Sequence, residues 1–326
     1  MLQCSKPNPI SKYAIQKIFM TTLRIATRES RLALWQAEHV ATRLRQAHPD
    51  LDVVLVPMTT TGDQVLDRTL AQVGGKGLFV KELESALLED RADIAVHSMK
   101  DVPSVLPDSL ILTSMLERAD PRDAFVSSKY RRFADLPQSA HVGTASLRRQ
   151  SQLLALRPDL RISPVRGNVE TRLRKLDEGH YDAIVLASAG LTRLGLAARI
   201  TEYLDVERSV PAAGQGVVGI ECRRNDAHAQ QLCAALNNLD AEHCVRAERA
   251  FSTRLEGSCQ APIAGFATVS HEQLQLTGLV AAPDGTRVIR KQINGARQQA
   301  EQLGTQLAEQ VLALGADKLL AALKHP

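Results

Sequence analysis

Apolar positions along the first two thirds of the chain fall into short runs that alternate with longer stretches of helical period. A short apolar run predicts a buried strand, and apolar residues at every third or fourth position predict an amphipathic helix. Strands that alternate with helices are typical of an α/β fold with a mostly parallel sheet. The first set of segments comprises residues 23–26, 32–46, 53–57, 78–89 and 92–96, and the second comprises 124–127, 141–143, 147–156, 162–165, 169–178 and 183–187.

The two sets are alike in local sequence. Ile-Ala-Thr-Arg-Glu-Ser at 25–30 precedes one predicted helix as Val-Gly-Thr-Ala-Ser at 142–146 precedes another. Ala-Asp-Ile-Ala-Val at 92–96 has a similar counterpart in Tyr-Asp-Ala-Ile-Val at 181–185. Two similar α/β domains that face a cleft explain this likeness. The general similarity of strand–loop–helix units explains it as well, so the pattern alone leaves both interpretations open.

The pattern changes beyond residue 240. Asp284-Gly285 lies between two apolar segments and predicts a hairpin turn. This turn and the segments before and after it predict a small C-terminal α+β domain. The neighbouring segments are a helical pattern at 241–255, a loop at 256–262, alternating segments near 265–269 and 274–280, and a closing helix from 296 to about 323.

Composition narrows the classes of function. At 326 residues with 44% hydrophobic content, the chain is long enough for two or three globular domains. The net charge is only +4, so affinity for anions must come from local clusters of basic residues. Aromatic residues make up 3%, which counts against nucleic-acid binding because that function combines basic grooves with aromatic stacking. No apolar run approaches membrane-spanning length. We therefore expect neither a nucleic-acid nor a membrane partner.

The five cysteines indicate the compartment. Their number is odd and no Cys-x-x-Cys pair occurs, which fits reduced thiols better than a disulfide framework or a structural zinc site. We therefore expect a cytoplasmic protein without a bound metal. The first 20 residues mix lysines, prolines and serines without a continuous apolar segment, so they are not a secretory signal. We interpret residues 1–21 as a disordered extension or a misassigned upstream start, with Met20 as the true initiator.

The segment His-Ser-Met-Lys-Asp-Val-Pro at 97–103 directly follows a predicted strand. Ligands of α/β sheets bind at the carboxyl ends of strands, which favours a functional role for Asp101. Lys100 beside it would hold the carboxylate ionised, whereas burial would raise its pKa and make it an acid; the sequence leaves both open. A polar turn capped by Asp101 and ended by Pro103 is the alternative without function.

Basic residues cluster at predicted strand ends and helix starts. Helix N-termini attract anions and guanidinium groups bind carboxylates through two parallel hydrogen bonds, so the cluster indicates a polycarboxylate ligand. An ordinary solvated charge is the alternative for any single arginine. Gly-Gly-Lys-Gly at 74–77 lacks the spacing of a nucleoside-triphosphate loop and is interpreted as a flexible lid, or as an ordinary surface loop. The arginines are Arg28, Arg148, Arg149, Arg166, Arg172 and Arg193.

Cys259 lies in Leu-Glu-Gly-Ser-Cys-Gln-Ala-Pro at 255–262, just after a predicted helix that Gly257 can end. A loop position makes the thiol accessible, and an inert buried cysteine is the alternative. Cys222, Cys233 and Cys244 have the surroundings of core or helix-face residues.

Several short motifs carry a family resemblance when they are taken in order. They are I-A-T-R at 25–28, G-G-K-G-L-F at 74–79, H-S-M-K-D-V-P at 97–103, L-R-R-Q at 147–150, V-R-G-N at 165–168, P-A-A-G-Q-G at 211–216 and E-G-S-C-Q at 256–260. In this order, from about residue 22 to the C-terminus, the chain resembles porphobilinogen deaminase, also called hydroxymethylbilane synthase.

The resemblance implies a transferase that condenses four porphobilinogen molecules head to tail, with loss of ammonia, and releases the linear tetrapyrrole hydroxymethylbilane. It implies a dipyrromethane cofactor, built from the substrate and joined by a thioether to Cys259. It also implies a monomer with two periplasmic-binding-protein-like α/β domains around a cleft and a small α+β domain that carries the cysteine. The expected domains are residues 22–116 with 217–234, residues 117–210, and residues 239–326.

The resemblance also assigns roles to individual positions. Asp101 would stabilise positive charge near the pyrrole nitrogens as ammonia leaves and an azafulvene forms, with Lys100 as the second catalytic group. Each porphobilinogen brings an acetate and a propionate, which an arginine-lined cleft would hold. Gln72 and Ala145 stand where many members have lysine and serine. The implied cofactor-binding residues are Cys259, Ser98, Lys100, Asp101, Thr144, Ser146, Arg148, Arg149, Arg172 and Gln215, and the substrate-binding residues are Arg28, Ser30, Lys76, Phe79, Arg166 and Arg193.

Two other functions fit parts of the pattern. A non-catalytic, hinged two-domain anion-binding module explains the paired domains and the arginines, but it predicts no covalent adduct. A basic nucleic-acid binder explains the arginines and conflicts with the few aromatic residues and the nearly balanced charge.

Overall fold

The computed structural model describes residues 21–64, 77–255 and 261–323, which form three β-sheets with helices packed on them. No helix within these ranges is long and apolar enough to cross a membrane. The strands are β1 (Thr21–Arg28), β2 (Leu51–Met58), β3 (Ile94–Ser98), β4 (Leu110–Met115), β5 (Asp123–Val126), β6 (His141–Gly143), β7 (Arg161–Ser163), β8 (Ala183–Ala187), β9 (Glu202–Leu204), β10 (Val218–Arg223), β11 (Ile263–Ser270), β12 (Gln273–Ala281) and β13 (Val288–Ala296). The α-helices are α1 (Arg31–Ala47), α2 (Thr61–Gln64), α3 (Lys81–Leu88), α4 (Leu147–Leu156), α5 (Val169–Asp177), α6 (Ser188–Arg193), α7 (Ala227–Ala234), α8 (Leu239–Arg254), α9 (Ala300–Val311) and α10 (Asp317–Ala321).

The first two sheets share one topology. Their strand orders are β2-β1-β3-β10-β4 and β7-β6-β8-β5-β9. In the first sheet β1 runs parallel to β2 and β3, and in the second β6 runs parallel to β7 and β8. The other ladders are antiparallel, with β10 between β3 and β4 and β5 between β8 and β9. Two similar α/β units therefore explain the likeness of the two sets of sequence segments.

The prediction of a mostly parallel sheet is wrong, because each sheet has two parallel and two antiparallel ladders. The antiparallel neighbour of β3 is β10, and that of β8 is β5. Neither strand follows a helix that returns the chain to the same sheet. Instead β5 begins where the chain arrives from the first sheet, and β10 begins where it arrives from the second. A parallel direction is expected only across a strand–helix–strand crossover, which neither strand has.

The helices that follow β1 and β6 begin in the same way. Ser30 is the N-cap of α1, and its Oγ accepts a hydrogen bond from Ala33 N at 3.4 Å. Ser146 is the N-cap of α4, and its Oγ accepts one from Arg149 N at 3.4 Å. Such a cap satisfies a free N–H group of the first turn and is worth about 1 kcal/mol. Both helix N-termini thus lie at the carboxyl end of a parallel strand.

Two connections join the first two sheets, residues 116–122 from β4 to β5 and residues 205–217 from β9 to β10. They run side by side, and Ala119 N donates a hydrogen bond to Gly216 O at 3.1 Å. Gly216 has a φ of +89°, and a Cβ there would lie 2.6 Å from the carbonyl oxygen of Ala119. Glycine is therefore required where the two connections touch.

The C-terminal sheet is antiparallel in the order β11-β12-β13 and is covered by α8 and α9. The predicted turn at Asp284-Gly285 is confirmed as the hairpin between β12 and β13. The prediction of one closing helix is wrong. A 3₁₀ turn at Arg297–Gln299 precedes α9, and Gly315, with a φ of +93°, separates α9 from α10. A left-handed residue cannot continue a regular α-helix, so the segment divides there.

The cysteines of the described ranges are buried thiols, as the sequence predicts. Cys222 lies in β10, Cys233 in α7 and Cys244 in α8. Burial raises the pKa of Cys222 to about 11 and that of Cys233 and Cys244 to about 12. A buried neutral thiol is a poor nucleophile, so these three are core residues.

Candidate active site

Asp101 lies in a single 3₁₀ turn, Met99–Asp101, that directly follows β3. Met99 anchors the turn because it is 1% exposed and donates its backbone N–H to Val217 O at 3.0 Å. The connection that leads to β10 packs against the same turn, and a Cβ on Gly214 would lie 2.6 Å from Met99 Cβ. The turn therefore has little freedom to shift, and Asp101 is fixed at the carboxyl end of a strand.

Asp101 lines a small pocket formed by β1, β3 and the first turns of α1. Arg28 lies at the end of β1, and its guanidinium stacks 4.4 Å from the ring centre of Phe79. Ser98 accepts a hydrogen bond from Gln36 Nε2 at 2.8 Å and donates one to Gln36 Oε1 at 3.2 Å. The structure thus brings together part of the predicted site. The predicted residues in this pocket are Arg28, Ser30, Phe79, Ser98 and Asp101.

The ammonium group of Lys100 lies among charges from both sheets. Burial lowers the pKa of Lys100 to about 8, Asp101 opposes this change, and Arg149 and Arg172 add to it. A neighbouring charge shifts a pKa noticeably only when it lies near the group in a poorly solvated site. Lys100 and Asp101 of the first sheet therefore lie close to Arg149 and Arg172 of the second.

Asp123, the first residue of β5, is fully buried and holds two of the predicted arginines. Arg148 donates to both carboxylate oxygens, at 2.9 Å and 3.0 Å, and Arg149 donates through Nε at 2.9 Å. Ser209 Oγ donates at 2.7 Å and Gln215 Nε2 at 3.0 Å. Burial alone would raise the pKa of Asp123, but the two guanidinium groups lower it well below its usual value. The ionised carboxylate thus fixes the arginine pair.

Arg148 and Arg149 differ in their surroundings. The Nη1 of Arg148 also donates to Val210 O at 2.6 Å, so both of its terminal nitrogens bind groups of the fold. Burial lowers the pKa of Arg149, and the charge of Asp101 is among the effects that oppose the change. Arg149 is therefore the member of the pair that lies near Asp101. Direct contact of Arg148 with a ligand stays a prediction.

Three further arginines have no acidic partner among the residues that the structure describes: Arg166, Arg172 and Arg193 form no salt bridge there. Arg172 and Arg193 each donate to a backbone carbonyl, at 2.8 Å and 2.7 Å. Burial lowers the pKa of each to about 10, and the charge of Arg149 also lowers that of Arg172. Arg193 lies 5.7 Å from the ring centre of Trp35 on α1. A polyanion would relieve the repulsion that Arg149 and Arg166 exert on Arg172, so the site fits a ligand with several carboxylates.

Three further predicted residues, Thr144, Ser146 and Gln215, bind backbone groups through their side chains. Thr144 Oγ1 accepts a hydrogen bond from Ser146 N at 3.3 Å, so both hydroxyl groups shape the N-terminus of α4. Gln215 Nε2 donates to Pro121 O at 2.6 Å in addition to Asp123, which links the two connections between the sheets. Contacts of these three side chains with a cofactor stay predictions.

Some predicted features lie outside the described residues. Cys259 and Lys76 are among them, as are Gln72 and the N-terminal segment 1–20.

Sequence reasoning missed Asp123 and a buried acid–base pair near the pocket. His97 Nε2 lies 2.8 Å from Glu221 Oε2, and the two side chains are 3% and 0% exposed. His97 lines the same pocket as Asp101. The available signal was a charged residue within a short apolar run, since Asp123 begins β5 and Glu221 lies within β10. No local pattern identifies the partner of either carboxylate.

Comparisons of the whole chain with known proteins agree on one family. A family model described as porphobilinogen deaminase, dipyromethane cofactor binding domain, matches residues 23–231, and one described as porphobilinogen deaminase, C-terminal domain, matches residues 242–313. The porphobilinogen deaminase of Syntrophotalea carbinolica is 58% identical over 303 residues, covering 93% of this chain and 96% of that protein.

Some solved structures of binding proteins have a partly similar fold and a low sequence identity to this chain. A putative methionine-binding lipoprotein from Bacillus subtilis is 13% identical, covers 67% of this chain and 91% of its own, and has a TM-score of 0.42. A periplasmic substrate-binding protein of an ABC transporter from Coxiella burnetii is 14% identical, covers 66% and 91%, and has a TM-score of 0.43.

Proposed function

The chain belongs to the porphobilinogen deaminase family. From this premise we propose the roles of its residues in the reaction. The enzyme is a hydroxymethylbilane synthase: it condenses four porphobilinogen molecules head to tail, with loss of ammonia, into a linear tetrapyrrole. Its cofactor is dipyrromethane. Asp101 is the central catalytic carboxylate, Lys100 is its partner, and Cys259 is the point of cofactor attachment.

The main support for these roles is the position of Asp101, which lies in a rigid turn among cations of both sheets. Loss of ammonia leaves positive charge on the pyrrole, and an ionised carboxylate held in place stabilises that charge without reorganising. Lys100 keeps a proton near Asp101 and is the group suited to hand one to the departing amine. The rigidity of the Met99–Asp101 turn supports repeated use of one carboxylate for each addition.

The arginines are proposed to hold carboxylates of the cofactor and the substrate. The charges of Arg149 and Arg166 both lower the pKa of Arg172, which supports this role, since a pair of pyrroles brings two acetates and two propionates. Arg28 and Ser30 are proposed to bind the incoming substrate beside Asp101. The dipyrromethane, when bound, supplies the pyrrole carbon that accepts the first substrate unit. Asp123 keeps Arg149 oriented toward that site.

The test of the attachment is an intact-protein mass spectrum recorded before and after incubation with porphobilinogen. We expect a covalent increment of two pyrrole units that a Cys259→Ser variant lacks. An unmodified mass after incubation, with Cys259 open to alkylation, would instead favour a non-catalytic anion-binding module.

The test of the carboxylate uses Asp101→Asn. This variant keeps the shape of the side chain and removes its charge, so it should carry the same covalent increment and lose nearly all turnover of porphobilinogen. The loss should be at least about 100-fold, the range seen when one electrostatic group of a transition state is removed. Turnover equal to that of the unmodified sequence would remove Asp101 from the central role.

We also propose that the enzyme acts in the cytoplasm as a monomer. The three buried neutral thiols of the described ranges support a reducing compartment, because none of them forms a disulfide there. Sedimentation of the purified protein at several concentrations tests the monomer, and a concentration-dependent mass would contradict it.

A further inference from the structure

Helix α8 presents one stripe of side chains to the turn that carries Asp101. Ala241 and Val245 are four residues apart, and both are buried in one apolar cluster with Met99 and Val102. Arg249 continues the same stripe, because residues at positions i, i+4 and i+8 lie along one side of a helix. The turn before and after Asp101 therefore rests on a single face of α8.

Arg249 binds the backbone that follows Asp101. Its Nη2 donates to Pro103 O at 2.7 Å and to Ser104 O at 3.1 Å, and its Nη1 lies 3.3 Å from Val102 O. A guanidinium group carries five N–H donors in a rigid plane, so one side chain holds three successive carbonyl groups. These directional contacts define the position of the turn along α8 more sharply than the apolar contacts do.

The opposite face of α8 belongs to the C-terminal sheet. Ala247, Phe251 and Leu255 are buried in its core. The helix ends at Arg254, and Cys259 follows five residues later in the sequence. One helix thus contacts the Asp101 turn on one side, is built into the C-terminal core on the other, and leads directly into the segment with the attachment cysteine.

We propose that Arg249 is a positioning residue that fixes the Asp101 turn relative to α8, the helix that precedes the attachment cysteine in the sequence. The inference rests on the roles proposed above for Asp101 and Cys259. Each of the four additions joins a new unit to a chain tethered at the cysteine, and each takes place at the same carboxylate. A bond forms efficiently only when the reacting atoms are held about 3–3.5 Å apart, and a displacement of about 1 Å can cost 100-fold in rate.

The experiment compares Arg249→Met with Arg246→Met. The first variant keeps an apolar stem and removes the donors. The second removes a half-exposed arginine three residues earlier on the same helix, which binds Glu301 at 3.0 Å and Glu242 at 3.5 Å. Exposed pairs of this kind contribute little to stability. Both proteins are measured for their covalent increment, for backbone amide exchange of residues 99–104, and for kcat and KM.

We expect Arg249→Met to keep the covalent increment, to exchange the amides of residues 99–104 faster, and to lose kcat by about 10- to 100-fold. Its KM should change by less than about threefold, because the arginines of the cleft are untouched. Arg249→Lys should restore part of kcat, since one ammonium reaches fewer carbonyls. Arg246→Met should behave as the unmodified sequence.

Unchanged exchange and unchanged kcat in Arg249→Met would overturn the proposal. The proposal would also be overturned if the loss in kcat equalled the fraction of Arg249→Met protein that lacks the covalent increment. Such a loss would be explained by incompletely folded protein alone. If Arg249→Met does not fold, Arg249→Lys decides, and exchange and kcat equal to those of the unmodified sequence would then refute it. Failure of the proposed function is distinguishable, because the unmodified sequence itself would then lack the increment or the turnover.

Discussion

Asp123 is the residue on which the cationic side of the site depends most. Asp123→Asn should leave two buried guanidinium groups without their counter-charge and lower the free energy of unfolding by about 3–5 kcal/mol. Denaturant unfolding measures the loss. Asp177→Asn is the matched control, since Asp177 pairs with Arg199 at the surface and should change stability little. Equal stabilities for the two variants would show that Asp123 does not anchor the arginines.

Lys100 should give the reaction a pH limit. Because its pKa is lowered to about 8, kcat/KM should fall as the pH rises through about 8, when the amine loses its proton and its charge. Lys100→Arg keeps its charge over this range, so its profile should stay flat there. Identical profiles for the two proteins would assign the limit to another group.

The same lowered pKa has an opposite effect on folding. Between about 8 and the ordinary value of 10.5, the unfolded chain binds more protons at Lys100 than the folded protein does. Stability contributed by this group therefore rises with pH across that window, while activity declines.

At the scale of single residues, the sequence predicted most of the functional residues at strand ends. It predicted few of the hydrogen bonds that hold their side chains in place. Arg28 is the last residue of β1 and Asp101 follows β3, and strand ends can be found from the apolar pattern. The bonds from Asp123 to Arg148 and Arg149 connect residues about 25 positions apart, and those to Ser209 and Gln215 connect residues still further apart. Local patterns contain no information on such pairings.

At the scale of elements, the hairpin between β12 and β13 is packed on α4, the helix that carries the arginine pair. Gly285 has a φ of +74°, and a Cβ there would lie 2.4 Å from Ala155 N. Gln150 Nε2 also donates to Pro283 O at 3.2 Å. The C-terminal sheet thus packs on the second sheet at this hairpin.

Gly285→Ala should force this hairpin away from α4 and lower the melting temperature. Gly179→Ala is the control, since Gly179 has a similar φ of +80° but no atom within 4 Å of the position that a Cβ would take. The left-handed backbone costs about 1–2 kcal/mol in both variants, so any further loss in Gly285→Ala measures the contact with α4. Equal melting temperatures would show that the contact contributes nothing.

Long and strongly periodic elements were predictable, whereas short elements and strand directions were not. The helix expected at 147–156 agrees with α4, and the alternating segments near 265–269 and 274–280 lie within β11 and β12. β9 has only three residues, too few for a recognisable period. The directions of β5 and β10 depend on where the chain crosses between sheets, which no local pattern encodes.

At the scale of the whole molecule, one buried carboxylate connects the three sheets. Glu248 of α8 accepts hydrogen bonds from Arg118 Nη2 at 2.8 Å, Gly214 N at 2.7 Å and Ala267 N at 2.8 Å. Arg118 and Gly214 lie in the two connections between the α/β sheets, and Ala267 lies in β11. The two sheets and the C-terminal sheet are therefore joined through this carboxylate.

The late return of the chain to the first sheet also sets the order of events during synthesis. β10 separates β3 from β4, so the first sheet stays incomplete until roughly a hundred residues after β4 have been made. All five strands of the second sheet lie between residues 123 and 204 and leave the ribosome before β10. At about 5–20 residues per second, the first four strands wait for roughly 5–20 s with the facing edges of β3 and β4 unpaired. The turn that carries Asp101 thus lies between two strands that remain unpaired with each other until β10 has been made.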